Sequence, residues 1–328
     1  MRIQTSILDV DDKFWLDNLL AFTFEMVNKG VSFDPADDIP PLEGKVILIT
    51  GANSGLGKQA SLELAKHNPG KIWMAARSLE KGNEALEDIK KQVPDAAVHF
   101  LELDLSSFNS IKAAARTVLT SSERLDILML NAGLMGCPPK LTKEGYEIQM
   151  GTNHIGHALL LKLLEPTLLK TATLYPVRVV SMASSAWKWA GPEKIQFDTL
   201  KSLEGATPVN RYIQSKTANM LYVQELAKHY PQFTIASIDP GEVATQLFSR
   251  DPGDEQMIHI QTEVAPKAWR PVEEGVKNQL WAATAEGVKS GQHYEPIGHY
   301  APSGLMLDTE LAKRLWEWTQ KELQGQEI

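Results

Sequence analysis

The stretch KVILITGANSGLGKQA, residues 45–60, constrains this chain more than any other. It opens with a short apolar run, rich in β-branched residues, in which polar and apolar positions do not alternate. Such a run suits a strand covered on both faces, as in a parallel sheet. Three glycines follow, Gly51, Gly55 and Gly57, and a helical pattern begins at about residue 55. A strand that passes through a tight turn straight into a helix is the first half of a βαβ unit.

The rest of the chain continues the pattern. KIWMAA at 71–76, VHFLEL at 98–103, LDILML at 125–130, VRVVSM at 177–182 and FTIASI at 233–238 read as further strands. Helical stretches alternate with them at 55–67, 79–93, 107–121, around 145–170, and 211–230. The expected fold is α/β: a single Rossmann-type, doubly wound parallel sheet with helices on both faces. Residues 1–43 stand apart as an N-terminal helical extension. A helix is expected from Asp11 or Asp12 to Gly30, followed by an extended linker, FDPADDIPPLEG, with three prolines. It is expected to pack on the main domain, with a lid or an oligomer contact as the alternatives. Residues 44–328 then form the Rossmann domain, including C-terminal helices at the substrate site.

Composition narrows the partners. Of 328 residues, 43% are hydrophobic and 23% charged, enough for a full core. The net charge of −8, from 33 basic and 41 acidic residues, argues against nucleic acid or an anionic membrane as partner. Cys137 is the single cysteine, so no disulfide forms within the chain and a reducing compartment fits. Asp9, Asp11 and Asp12 are out of place in a signal or transit sequence, and the run LLAFTF at 19–24 is too short to span a bilayer. A cytoplasmic protein without a membrane span is expected.

The glycine loop points to a dinucleotide. Glycines permit a tight turn and close backbone approach, and the N-terminus of the following helix attracts a pyrophosphate. Gly51, Ser54, Gly55, Leu56, Gly57 and Lys58 are the expected cradle. About 20 residues beyond such a loop, an acid would bind the ribose hydroxyl of NAD, whereas an arginine accommodates the 2′-phosphate of NADP. Arg77 stands there, with no acid at 75–78, so NADP(H) is the expected cofactor.

RYIQSKTANM, residues 211–220, places Tyr212 and Lys216 one helical turn apart on one face. They are either ordinary residents of a half-exposed helix or a proton donor with its tuning charge. A carbonyl that accepts hydride at carbon needs a proton at oxygen from a group poised near the working pH. An ordinary tyrosine titrates near 10, and a nearby ammonium favours the phenolate.

TGANSGLG, LDL at 103–105, NAG at 131–133, Asn153, the serines of SMASSAW, YIQSK and PGEVAT occur in this order. With them the chain resembles the short-chain dehydrogenase/reductase family over about residues 44–300. TNHIGHALL, GQHYEP and LAKRLWEWTQKEL resemble its retinol-dehydrogenase-like branch, which includes reductases of fungal secondary metabolism. The resemblance implies Tyr212 as catalytic acid/base and Lys216 as its partner, bound also to the nicotinamide ribose. It implies Ser184 as hydrogen-bond donor to the substrate oxygen, chosen by register over Ser181 and Ser185. Asn153 would complete a tetrad by holding a water. Asp104 and Leu105 would lie beside the adenine, and Asn131, Ala132 and Gly133 would form the cofactor floor. Pro240, Gly241, Val243 and Thr245 would close over the nicotinamide. Leu130 stands where the family commonly has a second asparagine, and Ser184 and Tyr212 are 28 residues apart, a wide spacing.

The expected activity is NADP(H)-dependent interconversion of a ketone or aldehyde and an alcohol on an apolar small molecule. A non-redox isomerase or cyclase, and a cofactor-sensing protein, are the alternatives. Trp187, Trp189 and Phe197 are expected either to line the substrate site or to pack. His154 and His157, three apart, read as packing residues rather than metal ligands, and Cys137 as incidental to the site mouth. The C-terminal amphipathic helix is expected to pack and to wall the cleft. Family members often pair through two helices, so a homodimer is one expectation, with the N-terminal helix covering that face as the other.

Overall fold

The computed structural model describes residues 30–247, 251–264, 266, 269–300, 302 and 304–328. The helix expected between Asp11 and Gly30 lies outside the described residues. Seven strands form one sheet: β1 Val46–Thr50, β2 Lys71–Ala76, β3 Val98–Glu102, β4 Ile127–Leu130, β5 Val177–Met182, β6 Phe233–Ile238 and β7 Gln292–Tyr294. Their order is β3-β2-β1-β4-β5-β6-β7, and every neighbouring pair is parallel. The helices used below are α1 Pro35–Asp38, α2 Gly55–Ala65, α3 Leu79–Gln92, α4 Phe108–Ser121, α5 Gly156–Ala172, α6 Pro208–His229, α7 Glu255–His259, α8 Lys277–Thr284 and α9 Thr309–Glu322.

Each central strand divides its side chains between two cores, because successive residues point to opposite faces. On β1, Val46 and Leu48 enter one core with Leu128, Val179 and Ile235, under α4, α5, α6 and α9. Ile47 and Ile49 enter the other with Ile72, Met74, Met129 and Ile238, under α2, α3 and α8. A strand buried on both faces has no polar face to show, which explains the unbroken apolar runs.

Two expectations change. The linker is not extended throughout: Pro35–Asp38 forms one helical turn, with Asp34 Oδ1 accepting from Ala36 N at 2.9 Å. Phe33, Ile39 and Leu42 are buried in the second core, so this segment is part of the sheet's cover. The seventh strand, absent from the sequence reading, has only three residues. That is too short for period-two alternation to register.

Asp126 ties the sheet at the point where the chain order reverses. Its fully buried carboxylate accepts from Val46 N at 2.9 Å and from Arg124 Nε at 2.8 Å. Its own backbone joins β1 and β5, donating to Val46 O and accepting from Arg178 N, both at 2.8 Å. Asp126→Ala strands the Val46 amide and the Arg124 charge and is expected to cost about 3–5 kcal/mol. Asp126→Asn, which keeps an acceptor, is expected to cost less; denaturant unfolding of the two variants checks the difference.

Candidate active site

The crevice lies at the carboxyl ends of the strands, where β2 leaves β1 on one side and β4 on the other, the place where open α/β sheets bind ligands. It encloses about 1250 Å³. Gly51 and Gly55 have φ of +69° and +51°, a left-handed conformation that disfavours a side chain. A Cβ on Gly51 would approach Ala132 Cα to 2.9 Å, and one on Gly57 would run into the Gly51 carbonyl. Ser54 caps α2 in an extended conformation without using its side chain. The first-turn amides of α2 are thereby left for an anion.

The end of β1 is knotted to the floor of the crevice. Thr50 Oγ1 accepts from Asn131 N at 2.9 Å and Ala132 N at 3.0 Å, and Asn131 Nδ2 donates to Thr50 O at 2.8 Å. His157 Nε2 lies 2.8 Å from Thr50 Oγ1, and its Nδ1 lies 2.9 Å from Asn153 O. A carbonyl only accepts, so Nδ1 carries the proton and Nε2 accepts the Thr50 hydroxyl. Burial pushes His157 down to about 4, which keeps the ring neutral. His154 is likewise buried, on Thr319 Oγ1 at 2.9 Å.

Asn153 sits in a π-helical segment, Gly151–Ile155, just ahead of α5. Its amide is fully used: Oδ1 accepts from Leu134 N at 2.7 Å, and Nδ2 donates to Leu134 O and Ser215 Oγ, both at 2.9 Å. The side chain does not reach the crevice. It holds the loop after β4, and only its backbone carbonyl, shared with His157, remains for a water.

Ser184, Tyr212 and Lys216 converge on the inner end of the crevice. Of the three serines in SMASSAW, Ser181 lies within β5, Ser185 is buried against Glu242, and Ser184 lines the crevice beside Tyr212. Thr207 starts α6 by accepting from Asn210 N at 3.3 Å, with Pro208 in the first turn, so the helix begins three residues earlier than its apolar pattern. Lys216 sits beside the Tyr212 ring, one helical turn along α6. Its Nζ donates to Met182 O at 2.9 Å and lies 5.9 Å from the Tyr212 ring centroid. Burial pushes Lys216 down to about 8, against the pull of Asp239. Burial also raises the Tyr212 phenol well above its ordinary value; Ser184 opposes the rise, and the Glu242 and Asp239 carboxyls add to it. In these surroundings the Tyr212 phenol holds its proton, as a donor to a carbonyl oxygen must.

The outer end is basic. Arg77, Ser78 and Lys81 line it together with Asp104 and Leu105. Lys81 escaped the sequence reading, although a cation in the first turn of a helix, where the dipole disfavours it, was a usable signal. Ser78 Oγ caps that turn, accepting from Lys81 N at 3.3 Å. Leu56, Gly133, Pro240, Gly241, Val243 and Thr245 also line the crevice. Gly57 and Lys58 do not: Gly57 serves packing, and Lys58 Nζ pairs with Asp88 at 2.8 Å on α3.

An apolar chamber adjoins Tyr212, lined by Met135, Trp189, Val209, Leu247, Met257 and Ile260. Cys137 also reaches the crevice wall. Only Trp189 of the three aromatics lines this space. Trp187 is buried in the core, and Phe197 packs on Trp318 with centroids 5.9 Å apart. The C-terminal helix α9 does not wall the cleft. It covers α6, with Leu315 buried and Trp316 stacked on His229 at 4.1 Å.

The family model for short chain dehydrogenases matches residues 45–194. A short-chain dehydrogenase/reductase of Armillaria gallica is 36% identical, over 86% of this chain and 91% of that protein. The short-chain dehydrogenase/reductase drtF of Aspergillus calidoustus is 33% identical over 88% and 97%, and human retinol dehydrogenase 13 is 35% identical over 84% and 83%. Among solved structures, an uncharacterized protein from Mycobacterium paratuberculosis superposes with a TM-score of 0.68 at 28% identity, covering 89% of this chain and 97% of that one. A short-chain dehydrogenase from Shigella flexneri, complexed with NADP, shares the fold with a TM-score of 0.61 at 22% identity, over 78% and 98%.

The His157 bridge carries a pH signature. Its folded value of about 4 lies below the unfolded 6.5, so its contribution to stability is present above pH 6.5 and is lost as pH falls toward 4. Glutamine offers one donor and one acceptor in its place. His157→Gln is expected to keep most stability at pH 7 and to lose about 1–3 kcal/mol less than the parent between pH 6.5 and 4. Urea unfolding at both ends of that range measures the difference.

Proposed function

The chain belongs to the short-chain dehydrogenase/reductase family, and from that premise we propose that it is an NADP(H)-dependent oxidoreductase interconverting a ketone or aldehyde and an alcohol on an apolar small molecule. The observation that carries the proposal is one crevice joining a basic outer end, Arg77 and Lys81, to an inner end with Ser184, Tyr212 and Lys216 and an apolar chamber beyond. The left-handed turn at Gly51 and the open first turn of α2 fit a pyrophosphate, and the two cations fit a 2′-phosphate. Gly51, Ser54, Gly55 and Leu56 would hold the former, Arg77 and Lys81 the latter, with Asp104, Leu105, Asn131, Ala132 and Gly133 beneath and Pro240, Gly241, Val243 and Thr245 closing the nicotinamide end. When bound, the dihydronicotinamide supplies a hydride.

The chain's own residues handle the oxygen. Ser184 hydrogen-bonds the substrate carbonyl and orients it, as a preorganised donor does where charge develops. Tyr212 gives its phenolic proton to that oxygen as the carbon gains hydride, so the products are the alcohol and a tyrosinate. The Lys216 ammonium, beside the ring, stabilises the tyrosinate, and a proton taken up from solvent restores the phenol for the next turnover. The high phenol value suits reduction: a neutral donor holds its proton until the oxygen becomes basic. The chamber lining excludes water and favours apolar substrates. Resemblance to the branch that includes fungal secondary-metabolism reductases supports a place in such a pathway.

Tyr212→Phe is expected to lower kcat at least about 100-fold and to leave NADPH binding within twofold, measured by nicotinamide fluorescence. Unchanged turnover would remove Tyr212 as the proton donor. Arg77→Ala with Lys81→Ala is expected to weaken NADPH at least about tenfold and NADH hardly at all. Tighter NADH than NADPH binding in the parent protein would overturn the cofactor assignment.

A further inference from the structure

The proposed reaction leaves a carboxyl in the crevice unused. Glu242, two residues beyond Pro240 on the loop leaving β6, lines the same space as Ser184, Tyr212 and Trp189. It is partly buried, and the crevice that it lines also carries Met135, Trp189, Val209, Leu247, Met257 and Ile260. A carboxyl in such a place costs free energy unless hydrogen-bonded. The Ser185 hydroxyl reaches its Oε1 at the long distance of 3.5 Å.

The charges around it are mixed. Arg270, whose backbone N–H donates to Glu242 O at 2.8 Å, draws the carboxyl toward ionisation. Asp239, buried at the end of β6, opposes it: its Oδ1 accepts from Gly241 N at 3.0 Å, while its Oδ2 is buried without a partner. Glu295 and Lys188, an ion pair, and Lys216 bear on Asp239 from behind. Tyr212 lines the same crevice, and the Glu242 charge acts on its phenol. Burial and Asp239 bring Glu242 up to about 7, and in either protonation state its carboxyl keeps an acceptor oxygen. A second anion in the crevice would be repelled by Glu242.

Deepening the function proposed above, and resting on it, we infer that Glu242 is a specificity-determining residue that accepts a hydrogen bond from a substrate hydroxyl. The substrate class is then an apolar carbonyl compound carrying an alcohol or phenol hydroxyl close to the reacting carbonyl, and carboxylated analogues are disfavoured. An apolar pocket alone discriminates weakly, whereas a buried polar group left unpaired by the wrong ligand discriminates strongly.

Matched aryl ketones test this, each hydroxyl member paired with its methyl isostere: 3′-hydroxyacetophenone with 3′-methylacetophenone, and 3-hydroxy-1-phenylpropan-1-one with 1-phenylbutan-1-one. Binding to the NADPH-loaded Tyr212→Phe protein is measured by calorimetry, and turnover by the parent protein through NADPH absorbance. The hydroxyl member of at least one pair is expected to bind about tenfold or more tightly than its isostere. Glu242→Leu is expected to erase that preference, and Glu242→Gln, which keeps the shape and one acceptor, to retain part of it. Equal or tighter binding of the methyl members, binding of neither, or a preference that survives Glu242→Leu overturns the assignment. A preference that Glu242→Leu removes, with no NADPH oxidation by the parent protein, upholds Glu242 and overturns the redox reading instead.

Discussion

One hydroxyl group organises the site. Thr50, the last residue of β1, accepts two backbone amides from the turn after β4 and gives its own proton to His157. Two amides at a buried strand end would otherwise have no partner, and buried donors without partners are costly. Through His157 the same hydroxyl reaches the Asn153 carbonyl, and the Asn153 amide in turn clamps Leu134. The phosphate loop, the crevice floor and the π-helical segment are thus one hydrogen-bonded unit. A valine would match the threonine in shape and remove that hydroxyl's bonds to Asn131 N, Ala132 N and His157.

The chemistry then follows from burial more than from pairing. Tyr212, Lys216, Asp239 and Glu242 are all displaced toward their neutral forms, in each case chiefly by loss of water. A Tyr–Lys pair suggests mutual tuning, and the Lys216 ammonium beside the ring also donates to the Met182 carbonyl. The carboxyls of β6 and its loop act on both members. They raise the phenol further, and Asp239 resists the fall of the lysine.

Much of this was legible in the chain. KIWMAA, VRVVSM and FTIASI match β2, β5 and β6 in their bounds, because strands buried on both faces announce themselves as short, mainly apolar runs with no polar face. The glycines of the loop were legible for a similar local reason: each meets a turn or a close approach that excludes a Cβ. What misled was side-chain direction. Lys58 follows the loop glycines in sequence, yet the helix turns it outward to Asp88. Trp187, Trp189 and Phe197 share one insertion, but a single short 3-10 turn, Ser185–Trp189, sends one tryptophan to the core and the other to the crevice.

The sequence by itself determined the architecture and the family. Those depend on burial period, turn chemistry and residue type, which are properties of neighbours along the chain. Only the tertiary structure decided which lysines reach the crevice, that Asn153 serves as a clamp, that His157 bridges two elements, and that Glu242 stands beside Tyr212. Each of these rests on groups brought together from different strands and helices. Hydrogen-bond geometry and desolvation act across space and leave no period in the sequence to read.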